Sequence, residues 1–237
     1  MTTAHRTGCL VCGRDLEYLD APEEMTCSLC GERVFADVRC VAGHFICDRC
    51  HAAGANDLIE RVCIATDIAE PMAIACLLMD HPAVKMHGPE HHFLVPAALL
   101  AAYCNLTGKQ DEKEAWIKKA RTRAESVPGG ACGTMGACGA AIGTGIFVAI
   151  ITGSTPLAGR AWQLANEMTA RALQVIARYG GPRCCKRDSW LAIREAVGFC
   201  KERLDITLPF HEEHVCTFSA INRECRRQAC LFYGGEE

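Results

Sequence analysis

The sequence predicts a mainly α protein, with an N-terminal zinc-ribbon-like module of short strands followed by an all-helical domain. Three observations predict it. Seven cysteines and a histidine at metal-ligand spacing crowd into positions 9–50, apolar residues beyond that stretch recur at helical intervals, and glycine- and proline-bearing breaks cut the remainder into helix-length pieces. The composition shift sets the domains as 1–54, a cysteine-rich zinc-binding module, and 55–237, a helical domain with a Gly/Cys-rich metal site and a cysteine-containing tail.

In the module, Cys9-Leu-Val-Cys12-Gly and Cys27-Ser-Leu-Cys30-Gly are two knuckles in which the glycine after the second cysteine lets backbone amides turn toward sulfur. Their four thiolates suit one tetrahedral zinc. Cys40, His44, Cys47 and Cys50 offer a second set, with His51 as a spare, so two zinc ions are expected. The same eight residues serve consecutive or interleaved pairing equally well, and iron is the alternative metal. Arg33, Arg39 and Arg49 are too few for a phosphate-binding face, which leaves structure or protein contact as the expected role.

The helices follow in order. Asn56 is placed to cap a short helix through Thr66, and Pro71 suits the first turn before MAIACLLM. Pro96 is expected to start another over ALLAAYCNL. DEKEAWIKKARTRAES reads as a solvated surface helix with Glu114 four residues before Lys118. Seven glycines between Gly129 and Gly145 form a loop that leads into a buried helix through FVAIITG. Leu164, Met168, Leu173, Ile176 and Tyr179 mark a helix stopped by Gly180-Gly181-Pro182, and Asp188 looks like the N-cap of a helix through about Leu204. The tail from Ile206 is irregular, and strands are expected only in the module.

The helical domain's cysteines fall into two kinds. Cys63, Cys76, Cys104 and Cys200 lie on apolar helix faces and read as core packing. Cys132, Cys138, Cys184 and Cys185 instead flank glycine-rich loops at predicted helix starts, where amides and the macrodipole favour thiolates, with Lys186 and Arg187 adding positive charge. They are the candidate ligands of an iron–sulfur cluster, which acts as a Lewis acid if three ligate and one iron stays open; a further zinc or free thiols are the alternatives. Cys216, Cys225 and Cys230 are a further set that supplies a missing ligand or holds another metal. The HGPEHH loop places His87, Glu90, His91 and His92 within six residues, the candidates for proton transfer against a reading as capping and packing groups.

Composition limits the rest. Half the residues are hydrophobic and 22% charged, so the chain is globular. A net charge of −3 and an isoelectric point near 6.3 argue against nucleic acid or an anionic membrane as partner. The N-terminus has no signal-like apolar run and the longest apolar stretch, 137–152, is too short and glycine-rich to span a bilayer. A cytoplasmic, reducing location is expected, where CxxC thiols serve as ligands rather than disulfides.

The succession CLVCG, CSLCG, GHFICDRCH, MHGPEHHFLVPAALLAAY, GGACGTMGACGAAIGTG and GGPRCCKRDSW resembles a domain-of-unknown-function family of cysteine-rich proteins from anaerobic bacteria and methanogens. More faintly, the chain resembles the helical part of iron–sulfur L-serine dehydratases and cysteine desulfidases. Cys138-Gly-Ala-Ala-Ile-Gly, Pro182-Arg-Cys184-Cys185 and His87-Gly-Pro echo the order of their elements, while their later cysteine has no clear match. The resemblance implies an iron–sulfur-dependent lyase or sulfur-transfer enzyme acting on a small molecule. The rival expectation is a non-catalytic zinc-binding interaction or metal-sensing module, or an accessory that delivers metal or sulfur, with a protein partner met through the N-terminal module.

Overall fold

The computed structural model describes residues 9, 11–12, 14–47, 50 and 54–235. Two strands, β1 (Leu16–Thr26) and β2 (Arg33–Cys40), form one antiparallel hairpin. Its register runs Leu16–Cys40 to Tyr18–Val38 and resumes at Glu23–Ala36. The shift falls where Pro22 sits, because proline has no N–H to give the ladder. The hairpin's connection is the Cys27–Cys30 knuckle itself. The Cys27 amide donates to the Glu32 carbonyl at 2.8 Å and the Gly31 amide to the Cys27 carbonyl at 2.9 Å, with Gly31 at φ +70°. That left-handed conformation is the reason for glycine here.

Eight helices follow among the described residues: α1 (Ala55–Ala65), α2 (Pro71–Asp80), α3 (Glu90–Thr107), α4 (Gln110–Glu125), the short α5 (Ala131–Thr134), α6 (Gly139–Ile151), α7 (Gly159–Tyr179) and α8 (Cys185–Leu204). The mainly α class with an N-terminal strand-bearing module is therefore what the chain forms. α3 is apolar on nearly every side and runs through the middle, against α1, α2, α4, α6 and α8. Pro96 lies inside α3 rather than at its start. It withholds the N–H that would meet the His92 carbonyl, and Gly143 of α6 packs against that spot: a Cβ there would stand 2.8 Å from Pro96 Cδ and 3.0 Å from the His92 oxygen. Helix α6 thus comes close where α3 is weakest, and glycine makes the approach feasible.

The charged helix α4 is less uniform than its sequence suggests. Glu114 and Lys118 do pair across one turn at 2.5 Å, both exposed, which contributes little. Lys113, however, is buried, and its ammonium meets the Thr66 carbonyl and Asn105 Oδ1. Asn105 also donates to the Thr66 and Ile68 carbonyls, so the α1–α2 link is held by side chains of α3 and α4.

The tail after α8 has one 3₁₀ turn, Arg227–Ala229, and one parallel bridge, Cys216–Tyr233. Trp190 of α8, 1% exposed, receives it edge-on: ring centroids lie 4.2 Å from His214 and 5.2 Å from Phe232. Cys63, Cys104 and Cys200 are wholly buried in the core, and burial pushes the Cys63 and Cys200 thiols up to about 12. Cys76 is half-buried with its sulfur 3.6 Å from His214 Nδ1, between the body and the tail.

Candidate metal centres

The hairpin gathers the N-terminal ligands into two groups of four. Cys9, Cys12, Cys40 and His44 form one and Cys27, Cys30, Cys47 and Cys50 the other, each with its ligand atoms within 4.8 Å of one another. The pairing is interleaved. β1 leaves the first knuckle and returns through β2 to Cys40, so the two ends of the hairpin complete the first site. The second knuckle, at the hairpin's turn, takes its partners from the chain beyond His44, with the Ser28 amide donating to the Phe45 carbonyl at 2.8 Å.

The sulfur spacing suits single ions. Cys12 and Cys40 sulfurs are 3.5 Å apart, Cys30 and Cys47 3.8 Å, and Cys9 lies 3.9 Å from His44 Nδ1. A tetrahedron with metal–sulfur bonds of about 2.3 Å sets such edges at about 3.8 Å. Amides prepare the sulfurs: Val11 donates to Cys9, Ala42 to Cys40 and Cys47 to Cys27, at 3.3–3.4 Å. Burial opposes ionisation of Cys27, yet the amides of Cys47, Cys30 and Leu29 prevail and lower its pKa. Burial wins at Cys50, whose thiol is pushed up strongly. These two sites could hold metal ions.

Cys132, Cys138, Cys184 and Cys185 do not close to the spacing of a single ion. Among the described residues the two N-terminal groups are the gatherings of three or more metal-type ligands within 4.8 Å. The vicinal pair divides instead. Cys184 is the extended N-cap residue of α8, at φ −140° and ψ 100°, while Cys185 begins the helix, so their side chains take different directions. Cys185 goes toward Cys138 and the Gly88 amide; Cys184 goes toward the tail, where Asn222 Nδ2 donates to its sulfur at 3.6 Å and Cys216 lies within electrostatic reach.

Cys132 and Cys138 open onto a cavity of about 830 Å³ between the glycine loop and the start of α8. Its wall includes Ile176 and Ala177 of α7 with Arg183, Arg187 and Asp188. Cys138 caps α6, but helix-end placement does not make it a ready thiolate. Burial pushes it up to about 11, Asp188 adds to the shift, and the Ala140 and Ala141 amides pull against both. Cys185 is raised to about 11 for the same first reason. These thiols therefore need a cation, such as a metal, to ionise near neutrality.

Asp188 is not the N-cap but lies one turn inside α8. It accepts from Arg187 Nε at 2.9 Å and from the Cys184 amide at 3.4 Å, within electrostatic reach of Cys138, Cys184 and Cys185. Arg187 is spent on the scaffold, with Nη2 donating to the Gly180 carbonyl at 2.8 Å. Arg183 stands exposed on the cavity wall. The Cys-Cys-Lys-Arg-Asp run was the signal for Asp188 as a site group; its fit as a cap residue masked it.

Only His87 lies in a loop, whereas Glu90, His91 and His92 open helix α3, and the four are spread over three environments. His91 is 1% exposed, and Glu90, also buried, accepts the Lys85 amide at 2.9 Å, so both serve the interior. His92 packs on Gly139, where a Cβ would fall 2.0 Å from the ring, and its Nδ1 lies 3.2 Å from the Val127 carbonyl. His87 Nε2 sits 3.3 Å from Asn222 Oδ1 and 3.2 Å from Glu224, beside the tail. None of the four lines the cavity.

Burial, with the Lys186 ammonium as second cause, holds the His91 imidazole neutral down to about 3. The sign follows. As pH falls below the ordinary value of about 6.5, the unfolded chain takes up a proton that the folded one refuses, so stability is lost toward pH 3 at up to about 1.4 kcal/mol per pH unit. His91→Asn is therefore expected to flatten the decline of denaturant midpoint between pH 6 and pH 5 relative to the wild type; parallel declines would show that His91 has no part in it.

Fold and sites define a cysteine-rich protein with two candidate metal sites on an N-terminal hairpin and a helical body. The model for a family of unknown function, DUF5714, matches residues 59–233, and the chain belongs to that family. The match spans the cavity cysteines and the tail and begins beyond the two N-terminal sites. No curated protein and no solved structure matches the chain. No helix among the described residues is long and apolar enough to cross a membrane.

Proposed function

We propose that the protein is a zinc-stabilised metalloprotein of anaerobic metabolism, working in the cytoplasm, whose cavity is an iron–sulfur-dependent lyase or sulfur-transfer site. The observation that carries it is the placement of Cys132 and Cys138 on the wall of one cavity, with Cys185 near Cys138. Three thiolates leave one iron of a four-iron cluster free, and that iron supplies Lewis acidity. The chain's own groups supply the rest. Arg183 is the cation for a substrate carboxylate, Ile176 and Ala177 make part of the lining apolar, and Asp188 is the carboxylate placed to hold or move a proton beside the sulfurs. Among the histidines, His92 packs on Gly139, the residue after Cys138, and His87 lies within electrostatic reach of Asp188. The N-terminal sites are read as structural zinc, because all eight ligands are protein side chains and no position is left open.

The test is anaerobic purification with iron, zinc and acid-labile sulfide analysis and a visible spectrum. Wild type should carry two zinc ions together with iron and sulfide, and Cys138→Ala should lose cluster absorbance from the cavity site while keeping both zinc ions. Zinc without sulfide, even after anaerobic reconstitution, would reject the enzyme reading and favour a binding or sensing module.

A further inference from the structure

We infer that Cys184, Cys216, Cys225 and Cys230 form a second, fully protein-ligated iron–sulfur site, separate from the cavity and built to hold the tail on α8. The tail's geometry carries this. Cys216 lies on the bridge to Tyr233, its amide donating to the Phe232 carbonyl at 2.7 Å, and Tyr233 in turn donates to the Cys230 carbonyl at 3.1 Å. Asn222 joins the other two: its Nδ2 reaches the Cys184 sulfur, and its carbonyl accepts the Cys225 amide at 3.1 Å. Three unrelated stretches of chain thus bring four cysteines to one place. Cys216 stands within electrostatic reach of each of the other three.

Two of these sulfurs are prepared in the manner of the N-terminal ligands. Phe218 donates its amide to Cys216 and Arg227 donates its amide to Cys225, both at 3.4 Å, which repeats the two-residue N–H to sulfur contact of Val11 with Cys9 and Ala42 with Cys40. Arg227 itself takes φ +49°, a left-handed conformation that costs a non-glycine residue.

The spacing argues against a single ion. The N-terminal ligands close to within 4.8 Å as a single ion requires, whereas the tail sulfurs, though near one another, do not form such a group. A four-iron core sets its ligand sulfurs farther apart than one tetrahedral ion does. Both signs of charge surround it: Lys186, buried with Nζ at 3.0 Å from the Met79 and Val84 carbonyls, and Arg187 lie within electrostatic reach of Cys184, as does the Asp188 carboxylate that Arg187 pairs with. Four protein thiolates leave no iron open, so the role is structural or electron-carrying. This inference shares the iron–sulfur chemistry of the cavity reading but stands on other residues, and it places Cys184 in the tail site.

Anaerobic reconstitution of the full chain tests it. Cys216→Ala should lose about four iron and four sulfide per chain relative to wild type, with helix content and both N-terminal metals retained. Cys225→Ala, at a half-exposed position, repeats the test if Cys216→Ala fails to fold. Asn222→Ala should keep the iron but shift the reduced cluster's paramagnetic resonance spectrum, because a hydrogen bond to a ligand sulfur is removed. Unchanged iron and sulfide in Cys216→Ala and Cys225→Ala would overturn the inference, as would a third zinc lost from these variants without sulfide. The two readings fail separately: Cys138→Ala reports on the cavity and Cys216→Ala on the tail.

Discussion

Cobalt-substituted Cys9→Ala should lose the absorption of a three-thiolate, one-imidazole site and keep that of a four-thiolate site. The opposite holds for Cys27→Ala. The expectation follows from the interleaved pairing, in which Cys9 shares its ion with His44 and Cys27 shares its ion with cysteines alone. Consecutive pairing would make Cys9→Ala lose the four-thiolate spectrum just as Cys27→Ala does, because Cys9, Cys12, Cys27 and Cys30 would then be the all-thiolate set. The effect is the largest expected for this chain. A structural zinc site contributes on the order of 10–16 kcal/mol of binding free energy at neutral pH, which the variant forfeits at one of the two sites. Retention of the imidazole-containing spectrum in Cys9→Ala would reject the interleaved arrangement.

That pairing shows where sequence reading stops. The spacing of the eight ligands identifies them because thiolates at CxxC distance can reach one ion, but pairing depends on where the hairpin brings Cys40, and both topologies use the same residues. The longer helices were legible because apolar periodicity and glycine or proline stops act locally, whereas α5 and the first turns of α3 and α6 lie in stretches that read as loops. Exceptions arose where a contact from elsewhere overruled the local preference. Pro96 lies within α3 because Gly143 packs onto the gap it leaves, and Lys113 is buried in a helix of solvated character because Thr66 and Asn105 accept its protons. Cys184 and Cys185 look equivalent as letters, yet one residue is extended and the next helical, so they face different sites. The tail has no periodicity to read; its order comes from a bridge, aromatic edges and the contacts of Asn222.

Trp190→Ala should destabilise the full chain by about 3–5 kcal/mol in chemical denaturation and speed proteolysis between Ile206 and Tyr233, with both N-terminal metals unaffected. Trp190 is the one large ring shared by α8 and the tail. It meets His214, Phe218 and Phe232, while Cys76 of α2 lies against His214 on the same face. Truncation removes a fully buried indole and with it the surface against which Phe232 is set. Phe232 in turn holds Cys216 through its carbonyl, so the tail thiols lose their positions together with the ring contacts. Trp190→Phe keeps an aromatic face and should recover most of the stability and the protection. A loss below about 1 kcal/mol with the tail still protected in Trp190→Ala would mean that the thiols, rather than the aromatic seat, hold the tail in place; Cys216→Ala would then expose the same bonds to protease.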